Sequence, residues 1–151
     1  MIHAVGPNYR RFAAAAAADD GNDSAAADGL LYSAYMSAMI EAKKAGMKSV
    51  GFSLLSSGIF RGRRPLGAVL RIGVLAIAAN AYPGLEEVVM VGFNEKEIDA
   101  LAAEADAVFA AAALDAPDLL DGLGAKSLRE MHAAALGVLK GAPAAAPAAA
   151  E

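Results

Sequence analysis

Ser56, Ser57 and Gly58 follow an apolar run and are themselves followed by Ile59, Phe60, Arg61, Gly62, Arg63, Arg64 and Pro65. The first residues of this set have the types that bind an anion. Successive small residues let backbone N–H groups turn inward as a nest for negative oxygens. A helix beginning at Pro65 would add its positive N-terminal end, and proline suits that place because its missing N–H is not needed there. Gly58 leaves room for a phosphate, and Phe60 offers a flat surface to a sugar. An ordinary strand-to-helix loop accounts for the same residues. The arginines likewise have two readings, a phosphate clamp or a solvated cluster.

Other chemistry is narrowed by composition. The chain has no cysteine, which excludes disulfides, thiolate metal sites and a cysteine nucleophile. His3 and His132 are far apart and make no metal-ligand spacing. His3 is either a core histidine with its hydrogen bonds satisfied or a catalyst. The loop at 56–64 lacks the Lys-Ser/Thr ending of a P-loop, which counts against an NTPase. Net charge is −4 and the sequence pI is about 5.2, so no specific nucleic-acid partner is expected. No metal or cofactor is expected either. No long apolar stretch and no basic-then-apolar leader is evident, so no membrane contact is expected. The lack of cysteine fits a reducing compartment, cytoplasmic with the nucleus as the alternative.

These residues need elements to position them. The 151 residues are 57% hydrophobic, but much of that is alanine in low-complexity runs, which add little buried area. The core-forming part is thus about 100 residues, a size that is marginal alone. Residues 1–5 read as a strand, broken by Gly6-Pro7-Asn8. Residues 10–28 are alanine and aspartate, a solvated loop or insertion of low complexity. Residues 30–45 read as a helix with an apolar stripe of Leu30, Leu31, Tyr35, Met39 and Ala42. Lys43 and Lys44 complement its dipole, and Gly46 caps it. Residues 49–55 are a strand. Residues 66–80 are a second helix with Val69, Leu70, Gly73, Val74 and Ile77 on its buried side, Gly73 permitting close packing.

Residues 81–84 make a turn, and 87–93 a strand whose nearly unbroken apolar run suits a parallel sheet covered on both faces. Asn94 and Glu97 form a capping box for a helix with the stripe Ile98, Leu101, Ala102, Ala105, Val108 and Phe109. Glu95 and Glu97 are read as helix-start residues. Residues 1–113 are one domain. Residues 114–140 are a helical extension containing Leu128, Met131, Leu136 and Leu139, and residues 141–151 an Ala/Pro tail expected to be disordered.

Strand and helix alternate, which implies right-handed crossovers and an α/β fold, a three-layer α/β/α sandwich with a mostly parallel sheet. Ligands bind such sheets at the carboxyl ends of the strands. Three loops meet there: 6–8, 56–64 and 93–94.

In this setting Ile2-His3-Ala4-Val5-Gly6-Pro7 resembles the strand and turn in the middle of macro domains. Leu54-Leu55-Ser56-Ser57-Gly58-Ile59-Phe60 is similar to their second phosphate loop, and residues 85–93 resemble their last core strand. The resemblance spans roughly residues 2–109, the C-terminal two-thirds of such a domain. It implies binding of ADP-ribose or an ADP-ribosylated protein. By that resemblance the backbone of Ser57, Gly58, Ile59 and Phe60 wraps the diphosphate, with Ser56, Arg61 and Gly62 beside it. The Phe60 ring sits by the distal ribose, and Phe93 and Asn94 lie near the adenine. Phe60 packing under its own loop and Phe93 in the core are the plain alternatives.

Two departures stand out. Arg61 stands directly after the aromatic, where many members have glycine. The asparagine-rich segment and glycine-rich first loop of the family have no counterpart. A truncated gene model or fragment is the expectation, the alternative being a chain that has lost that half or takes it from a partner completing the sheet. Three functional readings result. They are ADP-ribose binding, with ADP-ribosyl hydrolysis as its enzymatic form, a non-catalytic interaction module, and another phosphate-binding α/β domain.

Overall fold

The computed structural model describes residues 1–15 and 23–113. The expected extension at 114–140 and tail at 141–151 lie outside the described residues. Helix α1 (Tyr9–Ala15) is followed by α2 (Asp23–Lys44), strand β1 (Ser49–Ser53), a 3-10 turn (Ile59–Arg61), α3 (Leu66–Ala79), β2 (Glu87–Val91) and α4 (Glu95–Ala113). The strands pair in parallel, Ser49 opposite Glu87 and Ser53 opposite Val91. The α3 crossover between them makes this the α/β class expected, around a small sheet.

The core lies between the sheet and α2 and α3. Leu31, Tyr32, Tyr35, Met36, Met39 and Ala42 of α2 meet Val50 and Phe52 of β1 and Val69, Ile72 and Ala76 of α3. Val88 and Met90 of β2 pack against the same cluster. Val74 and Leu75 on another side of α3 meet Val108 of α4. Helix α3 is therefore apolar on two sides because helices cover both. The expected close approach at Gly73 is real: a Cβ there would lie 3.0 Å from the Tyr35 ring. Gly46, at φ 64°, ends α2 as expected.

Several expectations are corrected. Residues 1–5 form no strand ladder; Met1, Ile2 and Ala4 instead line a cleft of about 330 Å³ along β1 and α2. Helix α2 begins at Asp23, and the stretch read as solvated buries Ala27 and Asp28. Asp28 is drawn inward by two polar partners, described below. Leu30 is exposed, since the buried side of α2 runs through Leu31, Tyr32, Tyr35 and Met36 instead.

The strands are covered on one face among the described residues. Val50, Phe52, Val88 and Met90 face the helices, whereas Ser49, Gly51, Ser53, Glu87, Val89 and Val91 are exposed. The apolar run in β2 thus contributes Val89 and Val91 to an open face, and the third layer is not found among the described residues. Among the described side chains of α4 only Val108 is buried, with Leu101 and Ala105 partly so, while Ile98, Ala102 and Phe109 are exposed. Among the described residues α4 docks on one helix along one edge, so the wider stripe has nothing to cover it.

Candidate functional site

The 56–64 loop starts where β1 ends, and its path is set by three anchors. The first is Tyr35, a fully buried side chain whose hydroxyl accepts the Leu55 N–H at 2.8 Å. Its ring also stands tilted against Phe52, centroids 5.3 Å apart. Burial pushes the Tyr35 hydroxyl up to about 12, an effect the Leu55 hydrogen bond partly offsets.

The second anchor is Ser56. It takes a left-handed conformation, φ 57°, and its buried hydroxyl donates to the Pro7 carbonyl at 2.7 Å. This ties the N-terminal segment to the loop. Gly6 passes so close to Ser56 that a Cβ would collide with its Oγ.

The third anchor is electrostatic. Arg64 forms a two-pronged ion pair with Asp28 of α2, its Nε at 3.2 Å from Oδ1 and its Nη2 against Oδ2. Asp28 also accepts the Tyr9 hydroxyl of α1 at 2.8 Å. Burial, the Asp28 charge and that hydrogen bond all raise the Tyr9 pKa, which Arg64 lowers. Burial likewise raises Tyr32, against a hydrogen bond with Asn80.

Within the loop the arginines serve its own backbone. Arg61 Nε donates to the Ser57 carbonyl at 3.0 Å and its Nη1 to the Arg64 carbonyl at 2.6 Å. Arg71 pairs with Glu104 of α4 at 2.5 Å. Arg63 stays exposed. Ser57 is buried, its hydroxyl donating to the Leu54 carbonyl at 3.1 Å. The backbone N–H groups of Gly58, Ile59 and Phe60, entering the 3-10 turn, have no acceptor among the described residues. The loop therefore presents backbone donors, while Arg61 and Arg64 are bonded to the protein itself.

A groove of about 720 Å³ opens at the carboxyl ends of β1 and β2. Gly51, Ser53, Ser57 and Gly58 line it on the β1 side, and Val91, Gly92, Phe93 and Glu97 on the β2 side. Of the residues singled out in the sequence, the groove brings together Ser57, Gly58 and Phe93. Ile59 and Phe60 lie on the exposed turn beside it, Ser56 beneath the loop, and Arg61 and Gly62 toward α1, where Gly62 packs near Arg10. Phe93 is 95% exposed, so it is no core residue. Asn94 is engaged as a helix cap, its Oδ1 accepting the Glu97 N–H at 3.0 Å. His3 is exposed rather than a core histidine.

Sequence reasoning missed Glu97 as a groove residue. As a capping residue it reaches one position further back than a capping box, Oε2 accepting the Phe93 N–H at 2.9 Å. That reach carries the carboxylate to the groove, and its spacing from Phe93 on one helical turn was the signal available. Among the described residues no group of His, Cys, Asp and Glu could hold a metal ion. No described helix is long and apolar enough to cross a membrane.

An α/β chain with its loops gathered at the carboxyl ends of parallel strands is the general architecture of a nucleotide or phosphate site. The model of the Macro domain family matches residues 1–65. That stretch is similar to macro domains, a family that generally binds ADP-ribose. The matched stretch takes in the N-terminal segment, α1, α2, β1 and the whole loop, and stops short of α3, β2 and α4. It is thus partial, and shorter than the 2–109 over which the resemblance was read. No curated protein matches the chain.

Proposed function

We propose that the chain holds ADP-ribose or an ADP-ribosyl derivative in the groove at the carboxyl ends of β1 and β2. The observation that carries this reading is the opening of backbone N–H groups at Gly58, Ile59 and Phe60, unbonded among the described residues, beside that groove and within the macro-matched stretch. Backbone donors held by a tied-down loop bind a diphosphate without desolvating a lysine or arginine. Phe93, free on the other side, supplies a face on which a base stacks.

Hydrolysis of an ADP-ribosyl bond is the finer form of this reading. Among the described residues Glu97 is the one ionisable side chain lining the groove, and one of its oxygens already accepts the Phe93 N–H. Binding is therefore the better supported activity. A second reading, a non-catalytic module completed by a partner chain, is favoured by the exposed sheet face with Val89 and Val91.

Calorimetric titration with ADP-ribose, with AMP as control, tests the proposal. Micromolar binding of ADP-ribose and much weaker binding of AMP is the expected result. A folded sample that gives no heat with ADP-ribose removes the ligand reading and leaves the partner-completed module.

A further inference from the structure

Parallel sheets are ordinarily covered on both faces. Here the cross-strand pairs Ser49–Glu87, Gly51–Val89 and Ser53–Val91 present a face that no element among the described residues covers. A Cβ built on Gly51 would meet nothing within 4 Å, so the space over the middle of the ladder is open. Small residues stand along β1 on this face and two valines along β2, which makes a shallow channel with Val89 and Val91 as its high side. Gly51, Ser53 and Val91 also line the groove. The area left to cover therefore centres on Val89 and the amino ends of the strands.

The chain continues from a point close to that area. Helix α3 carries it from the carboxyl end of β1 to the amino end of β2. Glu104 of α4 pairs with Arg71 of α3, and Val108, further along α4, meets Val74 and Leu75, further along α3. The two helices therefore run side by side in the same sense, and α4 ends at Ala113 toward the amino ends of the strands. Residues 114–151 follow. Among them Leu128, Met131, Ala135, Val138 and Leu139 recur at helical spacing and share one side of a helix, with Arg129, Glu130 and Lys140 on the others. A helix over 127–140 would be about 21 Å long, against about 17 Å for a five-residue strand. The connecting residues 114–126 can span about 40 Å. Passing from one side of a sheet to the other takes only about 20 Å, two layer spacings.

We propose that residues 127–140 dock as a helix on the open face of the sheet, with the side carrying Leu128, Met131, Val138 and Leu139 against Val89 and over Gly51. The large side chains of the segment lie over the small ones of β1, so the two surfaces interdigitate. The chain in this way supplies its own third layer, and the face needs no partner chain to cover it. The proposal is independent of the ADP-ribose reading.

Because the chain has no cysteine, a single introduced thiol reports on its own surroundings. Val89→Cys is made in the full 151-residue chain, alone and together with Met131→Glu and Leu139→Glu, which remove apolar contact while keeping helix propensity. Lys96→Cys, at an exposed position of α4, gives the labelling rate of an uncovered thiol. Gly51→Cys, opposite Val89, is the second site should Val89→Cys lower the thermal unfolding midpoint. The thiol at 89 should react at least about tenfold more slowly than the one at 96, because a covered group reacts only while the segment is lifted away. The two glutamates should bring its rate to within about twofold of that reference. A thiol at 89 or 51 that reacts as fast as the one at 96 in a folded chain overturns the proposal and leaves the face to a partner of another kind. Protection that is lost on dilution also overturns it and assigns the face to a second copy of the chain. Protection that survives both glutamates overturns it as well, since the segment is then not the cover.

Discussion

Replacing Asp28 by alanine tests how the 56–64 loop is held. Its carboxylate is the common partner of Arg64 and the Tyr9 hydroxyl, so it joins α1, α2 and the far end of the loop. Stranding one partner of a fully buried ion pair costs about 3–5 kcal/mol. The Arg64 side chain is 26% exposed, though, and can turn partway to water, which removes roughly half of that cost. The Tyr9 hydroxyl has less freedom, being in a residue only 5% exposed, and losing its acceptor adds about 1 kcal/mol. The net expectation is about 2–4 kcal/mol of lost stability, read by urea unfolding with an unchanged m-value. Asp28→Asn keeps a neutral acceptor and should lose about half as much. In a double-mutant cycle with Arg64→Ala, the two losses should fall short of additivity by at least about 1 kcal/mol. Additive losses, or an Asp28→Ala variant within about 0.5 kcal/mol of wild type, would refute the reasoning that this pair fixes the loop.

Two further outcomes are expected. Gly6→Ala should destabilise by about 1–3 kcal/mol, the cost of overpacking, because its Cβ meets Ser56 Oγ. Adding Ser56→Ala should recover part of that loss, and no recovery in urea unfolding would show that the contact is not the cause. Stability should also fall as pH rises above the ordinary tyrosine value of 10.0 and through about 12, the value to which Tyr35 is raised. The sign follows from proton binding. Between those values the folded state keeps the proton on Tyr35 while the unfolded state has released it, so raising pH favours unfolding. Tyr9 and Tyr32 are raised as well and act in the same direction. Thermal unfolding across that range checks this. A midpoint that does not drop relative to a Tyr35→Phe variant would contradict the contribution of Tyr35.

The elements with strong local signals were legible in the residues themselves. Pro65 and the spacing of Val69, Leu70, Gly73 and Val74 specify α3, because helix starts and apolar periodicity are local properties. Gly46 and Asn94 mark helix ends for the same reason. The order of elements also sufficed to bring the loops after β1 and β2 to one edge, since parallel strands joined by a helix leave no other arrangement. The macro resemblance was legible around the 56–64 loop, where the family match also falls.

What only the tertiary structure decided concerns partners distant in sequence. Asp28 sits in an alanine-aspartate stretch that looks solvated, and it is buried because Tyr9 and Arg64 converge on it from 19 and 36 residues away. Arg61 and Arg64 have the charge to clamp a phosphate, yet carbonyls and a carboxylate within reach claim them first. The run Val88-Val89-Met90-Val91 is apolar on both sides, but which side is covered depends on where the helices pack. Glu97 carries the ordinary signature of a helix start, and only the approach of β2 to β1 turns that position into one wall of a groove. Local pattern specifies elements because its forces act within a turn or two of chain. Burial, charge pairing and the groove arise from contacts across tens of residues, which no window on the sequence contains.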